Sequence, residues 1–200
     1  TTIFLKGCPL GCAWCHNPES QHALPQIMVR AERCQECGAC VSACANGSAV
    51  ITQGKRQPAT CRACGNCVDV CAHDALELVG RTMTVTEVMQ EIMKDELFYD
   101  QSGGGVSFSG GEPLLQAEFL ENLLAACRRQ GLHTVVDTCG YAPWPVLAKL
   151  APLVDLFLFD VKLMDEARHK QYTGVSNRII LQNLTSLAAL QKQIEVRVPI

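Results

Sequence analysis

The first seven residues, TTIFLKG, read as a short strand of β-branched and aromatic residues that ends at Gly7. From Cys8 to about Gly80 the hydrophobic positions follow no clear period. Beyond Gly80 helical and extended patterns alternate. Thr84 and Glu87 stand three apart in the capping-box arrangement, and Val85, Val88, Met89, Ile92 and Met93 follow at helical spacing. Gly103-Gly104-Gly105 interrupts the chain, and Val106–Ser109 reads as a strand. Phe119, Leu120, Leu123, Leu124 and Cys127 form the apolar stripe of a second helix that stops near Gly131. His133–Thr138 reads as a strand, Pro143–Ala151 as a short helix, and Leu156–Val161 as a strand that is apolar until Asp160. A helix over Ile179–Lys192 and a fifth strand over Ile194–Ile200 complete the pattern.

Strands alternating with helices predict a parallel sheet of right-handed β-α-β units. Five strands and four helices are too few for a closed eight-fold barrel. The fold class expected is therefore α/β, a partial (β/α) barrel with a Cys-rich insertion after its first strand. Residues 1–29 and 81–200 are assigned to the barrel and residues 30–80 to the insertion.

Charge adds little. The net charge of -3 gives no basic field for nucleic acid or an anionic membrane. The longest apolar stretch, Leu153–Leu163, is broken by Asp155 and Asp160 and is too short to span a bilayer. No basic region followed by an apolar segment opens the sequence.

Cysteine changes the picture. Eleven of the thirteen fall between Cys8 and Cys71 at short fixed spacings. Thiols three or four residues apart staple distant segments poorly but converge well on a metal. So many thiolate ligands suit a reducing, cytoplasmic compartment. Cys34, Cys37, Cys40 and Cys44 match Cys61, Cys64, Cys67 and Cys71 at a constant offset of 27 residues, as do Gly38/Gly65, Val41/Val68 and Ala45/Ala72. That offset predicts a pseudo-twofold module of two copies. Each copy reads C-x2-C-x2-C-x3-C, the ferredoxin run whose fourth Cys ligates the other cluster. One [4Fe-4S] cluster would take Cys34, Cys37, Cys40 and Cys71, the other Cys61, Cys64, Cys67 and Cys44. The Pro usual after the fourth Cys is replaced by Ala45 or Ala72. Paired C-x2-C also binds zinc, the alternative at these positions.

Cys8, Cys12 and Cys15 differ. They supply three thiolates in C-x3-C-x2-C with no fourth Cys close behind. Three ligands on a cubane leave one iron open, as catalysis requires. The triad follows the first strand, on the rim where a parallel barrel places its chemistry. Gly110-Gly111-Glu112, Asp137, and Asp160 with Lys162 follow or end the next three strands, so four segments are expected on that rim. The alternative is a structural site completed by His16 or a distant Cys.

The triad with Trp14 before its last Cys resembles the radical SAM superfamily. SGGEPLLQAEF (Ser109–Phe119), DTCG (Asp137–Gly140), FDVK (Phe159–Lys162) and TGVSN (Thr173–Asn177) are similar to runs of the glycyl-radical-enzyme activating enzymes. The double-ferredoxin insertion resembles the branch serving dehydratases, lyases and decarboxylases. The resemblance covers essentially the whole chain. It implies three [4Fe-4S] clusters and S-adenosylmethionine, a glycyl radical enzyme as protein partner, and a flavodoxin or ferredoxin as electron donor. It implies that amine and carboxylate of S-adenosylmethionine chelate the open iron. Glu112 is expected to meet the amine, Trp14 the adenine side, Asp160 and Lys162 the carboxylate and ribose end, and Asp137 a nearby polar or cation site. Two rival functions remain at this point: an electron carrier, and a radical SAM enzyme acting on a small molecule or peptide. Relative to the family, the chain is expected to be truncated at both ends, lacking a D-G-P-G run before Thr1 and a further β/α unit after the fifth strand. Cys127 and the Met89/Met93 pair are expected in the core, and His133 and His169 on the surface.

Overall fold

The computed structural model describes residues 1–47, 51–52, 55–56 and 61–199. Ile200, the end of the fifth predicted strand, and parts of the predicted insertion lie outside the described residues. The chain divides into two compact units, Thr1–Ala23 with Met83–Ile200, and Leu24–Thr82.

The larger unit carries the five predicted strands: β1 (Thr2–Leu5), β2 (Gly105–Gly110), β3 (His133–Thr138), β4 (Leu156–Asp160) and β5 (Gln193–Arg197). They form one sheet in chain order with every neighbouring pair parallel. The helices are α1 (Val85–Ile92), α2 (Glu96–Ser102), α3 (Ala117–Arg129), α4 (Trp144–Leu150), α5 (Glu166–Thr173) and α6 (Arg178–Ala189). The capping box of α1 is formed. The Glu87 carboxylate accepts from the Thr84 N–H at 2.7 Å, and the Thr84 hydroxyl accepts from the Glu87 N–H at 3.2 Å. Two helices escape the sequence pattern. In α2 only Tyr99 is buried while Leu97 and Phe98 face solvent. In α5, EARHKQYT, no apolar stripe exists at all.

Strand residues alternate between two faces, and here the faces differ in chemistry. Val106, Phe108, Val136, Phe157 and Phe159 are fully buried on one face against Leu120, Leu123, Leu124, Leu147 and Ile180 of the helices. The registers Ser107↔Val135, Asp137↔Leu158 and Asp160↔Arg197 put Ser107, Ser109, Asp137, Asp160 and Arg197 together on the other. Each fully buried Phe or Leu contributes about 1.5–3 kcal/mol by removal of apolar area from water. Along β2, β3 and β4, stability thus sits on one parity and polar chemistry on the other.

The smaller unit keeps its internal repeat in three dimensions. Short helices Ala39–Ser42 and Asn66–Asp69 occupy equivalent places. Glu36 (φ 51°) and Ala63 (φ 49°) take the same left-handed backbone, as do Gly38 (φ 78°) and Gly65 (φ 89°). Gln26–Val29 pairs antiparallel with Leu76–Val79, and Ile51–Thr52 with Lys55–Arg56.

A candidate active site at the strand ends

A cleft of about 450 Å³ opens at the C-terminal ends of the strands of the larger unit, within the range of about 300–1,000 Å³ typical of small-molecule sites. Cys8, Cys12 and Cys15 line it together with Trp14, from the loop that follows β1. Gly110 and Gly111 line it after β2, Asp137 at the end of β3, and Asp160 and Lys162 at and beyond the end of β4. The four segments expected on one rim therefore meet in one cleft.

Backbone packing explains the two glycines. Gly110 has φ +118°, and a Cβ there would meet the Leu5 carbonyl oxygen at 2.3 Å. A Cβ on Gly111 would lie 2.2 Å from the carbonyl oxygen of Gly7. The loops after β1 and β2 consequently approach until the Gly111 N–H reaches Leu5 O at 2.8 Å and the Glu112 N–H reaches Gly7 O at 2.8 Å.

Glu112 is placed differently from the expectation. It is 1% exposed and absent from the cleft lining. Its carboxylate accepts from the Thr138 hydroxyl at 2.6 Å, the Leu114 N–H at 3.1 Å, and the N–H and thiol of Cys139, both at 2.8 Å. The physical reason is parity, because Thr138 lies on the core side of β3 and draws the carboxylate there. Burial pushes the Glu112 carboxyl up, against these hydrogen bonds that pull it down. Cys139 also lines the cleft, but its thiol is committed to Glu112.

A residue the sequence pattern had not singled out organises the acids. Arg197, at the end of β5, donates through Nε to Asp160 at 2.9 Å and through Nη2 to Asp137. Lys162 donates to the other oxygen of Asp160 at 2.6 Å, and the Ser109 hydroxyl to Asp137 at 2.8 Å. Two carboxylates at adjacent strand ends would repel; the guanidinium between them and the Lys162 ammonium together balance their two charges. Burial lowers the Lys162 pKa, but the ion pair with Asp160 outweighs it and the net shift is upward. Arg197 shared the signal of Asp137 and Asp160, a charged residue ending a strand, and could have been found by it.

Burial pushes the Cys8 thiol up to about 11 and raises that of Cys12, whose neighbour Lys162 pulls the other way. Ligation by a metal would displace these protons. Three thiols on the wall of an open cleft, with the fourth nearby thiol held by Glu112, are a donor set that fits a cubane with one accessible iron. Among the described residues no group of three or more His, Cys, Asp or Glu side chains gathers tightly enough for a single ion.

In the smaller unit, Cys34, Cys37, Cys40 and Cys71 line one hollow, and Cys44, Cys61, Cys64 and Cys67 line another. Each hollow takes three thiols from one repeat and the fourth from the other. Cys127 lies in the core with its thiol 3.7 Å from the Met89 sulfur, and His133 is exposed. His169, expected on the surface, is instead 1% exposed. With Thr173 it forms the inward face of a helix too polar to betray which side is buried.

Comparison with known proteins shows the family. The family described as the radical SAM superfamily matches residues 2–197. The chain is 46% identical over 205 residues to the choline trimethylamine-lyase activating enzyme of Oleidesulfovibrio alaskensis, covering 100% of this chain and 66% of that protein. It is 44% identical over 205 residues to the trans-4-hydroxy-L-proline dehydratase activating enzyme of Clostridioides difficile, covering 100% and 67%. Among solved structures it is similar to a domain of pyruvate-formate lyase-activating enzyme from Bacteroides vulgatus, at 38% identity and a TM-score of 0.46 over 48% of this chain and 60% of that one. The chain spans about two thirds of the length of the curated relatives it matches. No helix among the described residues is long and apolar enough to cross a membrane. The chain belongs to the radical SAM superfamily and, within it, to the glycyl-radical-enzyme activating enzymes, a family that uses a [4Fe-4S] cluster and S-adenosylmethionine.

Proposed function

We propose that this chain forms the catalytic portion of an enzyme that installs a glycyl radical on a partner protein. The observation that carries the proposal is the meeting of Cys8, Cys12 and Cys15 with Asp137, Asp160 and Lys162 in one cleft. Bound there, a reduced [4Fe-4S] cluster would supply the electron that splits S-adenosylmethionine into methionine and a 5'-deoxyadenosyl radical, and that radical would take a hydrogen atom from a glycine of the partner to become 5'-deoxyadenosine.

The residues of the chain have separate tasks. Cys8, Cys12 and Cys15 would be the protein ligands of the cluster, with S-adenosylmethionine as its remaining ligand. Gly110 and Gly111 form a floor without side chains, which admits the methionyl end. Lys162 offers a cation to the cofactor carboxylate, and its bond to Asp160 fixes where that cation stands. Asp137 and Asp160, locked by Arg197, present oriented acceptors to the ribose and amine. Trp14 closes the adenine side with its indole face. Glu112 acts from behind, holding Thr138 and Cys139 in the cleft wall.

In the smaller unit, the two thiol tetrads would hold two further [4Fe-4S] clusters, three in all. A flavodoxin or ferredoxin in the cytoplasm would supply the electron. The partner is a glycyl radical enzyme, as for the proteins this chain resembles.

Anaerobic reconstitution of the full-length protein tests the proposal. With dithionite and S-adenosylmethionine, 5'-deoxyadenosine is expected, and a glycyl-radical-domain peptide is expected to bind. No 5'-deoxyadenosine from protein of full iron content would overturn the proposal. Turnover without peptide binding would instead favour a small-molecule substrate.

A further inference from the structure

Helix α5 buries only His169 and Thr173, so core packing does not account for it. What it does is end at the Cys8–Cys15 loop. Gly174, in the left-handed conformation at φ +87°, stops the helix and leaves its last carbonyls facing outward. The N–H of Gly11 donates to Thr173 O at 2.8 Å, and that of Ala13 to Tyr172 O at 2.9 Å. These two donors flank Cys12. The rings of Trp14 and Tyr172 add a third contact, 5.9 Å between centroids. The helix end and the loop thus satisfy each other's unpaired backbone groups.

The helix end is itself held from within. His169 Nδ1 lies 2.8 Å from Val175 O; a carbonyl only accepts, so Nδ1 carries the proton. The Thr173 hydroxyl donates to His169 O at 2.8 Å. Asn177, 2% exposed, donates to Leu163 O at 3.0 Å and Met164 O at 2.8 Å, tying the turn to the segment that follows Lys162. The other ring nitrogen of His169, Nε2, is buried without a hydrogen-bond partner. A buried polar atom left unsatisfied is rare and calls for a reason. A phenyl ring would fill the space without that penalty, so the Nδ1 bond that fixes Val175 is the property His169 provides.

We propose that α5 and the TGVSN turn behind it are the positioning element of the Cys8–Cys15 loop, with His169 and Thr173 as its positioning residues. Through them the sulfur of Cys12 is registered against Asp160 and Lys162, which lie just before α5 in the chain. The proposal deepens the function above and rests on its assignment of a cluster to this triad.

The test uses the reconstituted holoprotein, with iron release to a chelator and EPR of the reduced protein before and after addition of S-adenosylmethionine. His169→Phe keeps the volume and removes the Nδ1 donor, while His169→Asn restores a donor at that place. Gly11→Pro removes one loop N–H, and Gly11→Ala retains it where a Cβ meets nothing within 4 Å. His169→Phe and Gly11→Pro are expected to release iron from the triad about 10-fold faster, the size seen for residues that orient metal ligands, and to blunt the EPR response to the cofactor. His169→Asn and Gly11→Ala are expected to match the unaltered protein. The proposal is overturned if the first pair matches too, or if iron leaves the two thiol tetrads equally fast, as a general loss of stability would cause. Cys8→Ala/Cys12→Ala/Cys15→Ala is the separate control: unchanged iron content there would sink the cluster assignment itself and not the helix.

Discussion

The two Cys-rich regions of the molecule are built on opposite plans. The triad loop belongs to the larger unit, whose Phe108, Phe157, Phe159 and surrounding leucines form a dry core with or without a metal. Its position is set by Gln21, whose carbonyl accepts from the Cys8 N–H at 3.0 Å, and by the distant end of α5, which accepts from Gly11 and Ala13. The thiols of Leu24–Thr82 stand in a unit whose only buried apolar residues, among those described, are Cys67, Ala75 and Leu76. So small a core does not hold a fold of this length, and such units are commonly completed by metal. One region borrows stability from the fold, and the other, on the proposed cluster assignment, obtains it from its ligands.

The strongest way to break this contrast is to remove the iron. Chelation under reducing, anaerobic conditions is expected to abolish amide-exchange protection across Leu24–Thr82 and to leave that of β2, β3 and β4 in place; uniform loss over both units would refute the division. Next comes Cys44→Ala. Because Cys44 lines the hollow of the other repeat, it should remove the cluster of Cys61, Cys64 and Cys67, about four irons of about twelve, with Cys34, Cys37, Cys40 and Cys71 still loaded in the EPR spectrum. Phe157→Ala acts on the opposite side of the comparison. It should lower the unfolding free energy of the larger unit by about 3–5 kcal/mol in a denaturant melt and leave the tetrad clusters intact. Arg197→Met tests whether the cleft ion pairs matter to folding as the core does. With the side chain 39% exposed, the loss should be only about 1 kcal/mol after solvent screening, while cofactor binding weakens.

The smallest effect concerns pH. Burial pushes the Asp155 carboxyl up, but the Thr134 N–H at 2.8 Å and hydroxyl at 2.9 Å outweigh it and hold the group below its ordinary value. A lowered folded-state pKa stabilises the protein above the unfolded value near 3.9, and that contribution disappears as pH falls through the folded value. Asp155→Asn should therefore lose less than about 1 kcal/mol at neutral pH and converge with the unaltered protein in acid, as read by melts across that range.

Much of this was legible in the sequence, for identifiable reasons. The central strands of the larger unit announced themselves because one parity is buried along β2, β3 and β4, and the thiol repeats because ligand spacing is local. Sequence order also indicated which charged residues end which strands, hence Asp137, Asp160 and Lys162 in one cleft. What stayed hidden depends on contacts between distant segments. Nothing local in EARHKQYT marks His169 as buried, since its partner is the carbonyl of Val175. Glu112 looked like a ligand-binding acid because its neighbours face the cleft; only the parity of Thr138 reveals that its carboxylate turns inward. The role of Arg197 lies in its bonds to Asp160 and Asp137 on two other strands, which no local pattern in QIEVR displays.

The separation of parities along β3 and β4 has an experimental consequence. Exchanges at Asp137 and Asp160 are expected to disturb the cleft and its ion pairs while Val136, Phe157 and Phe159, one step away on the same strands, keep the helices docked. A loss of activity there would therefore report on the site and not on the scaffold.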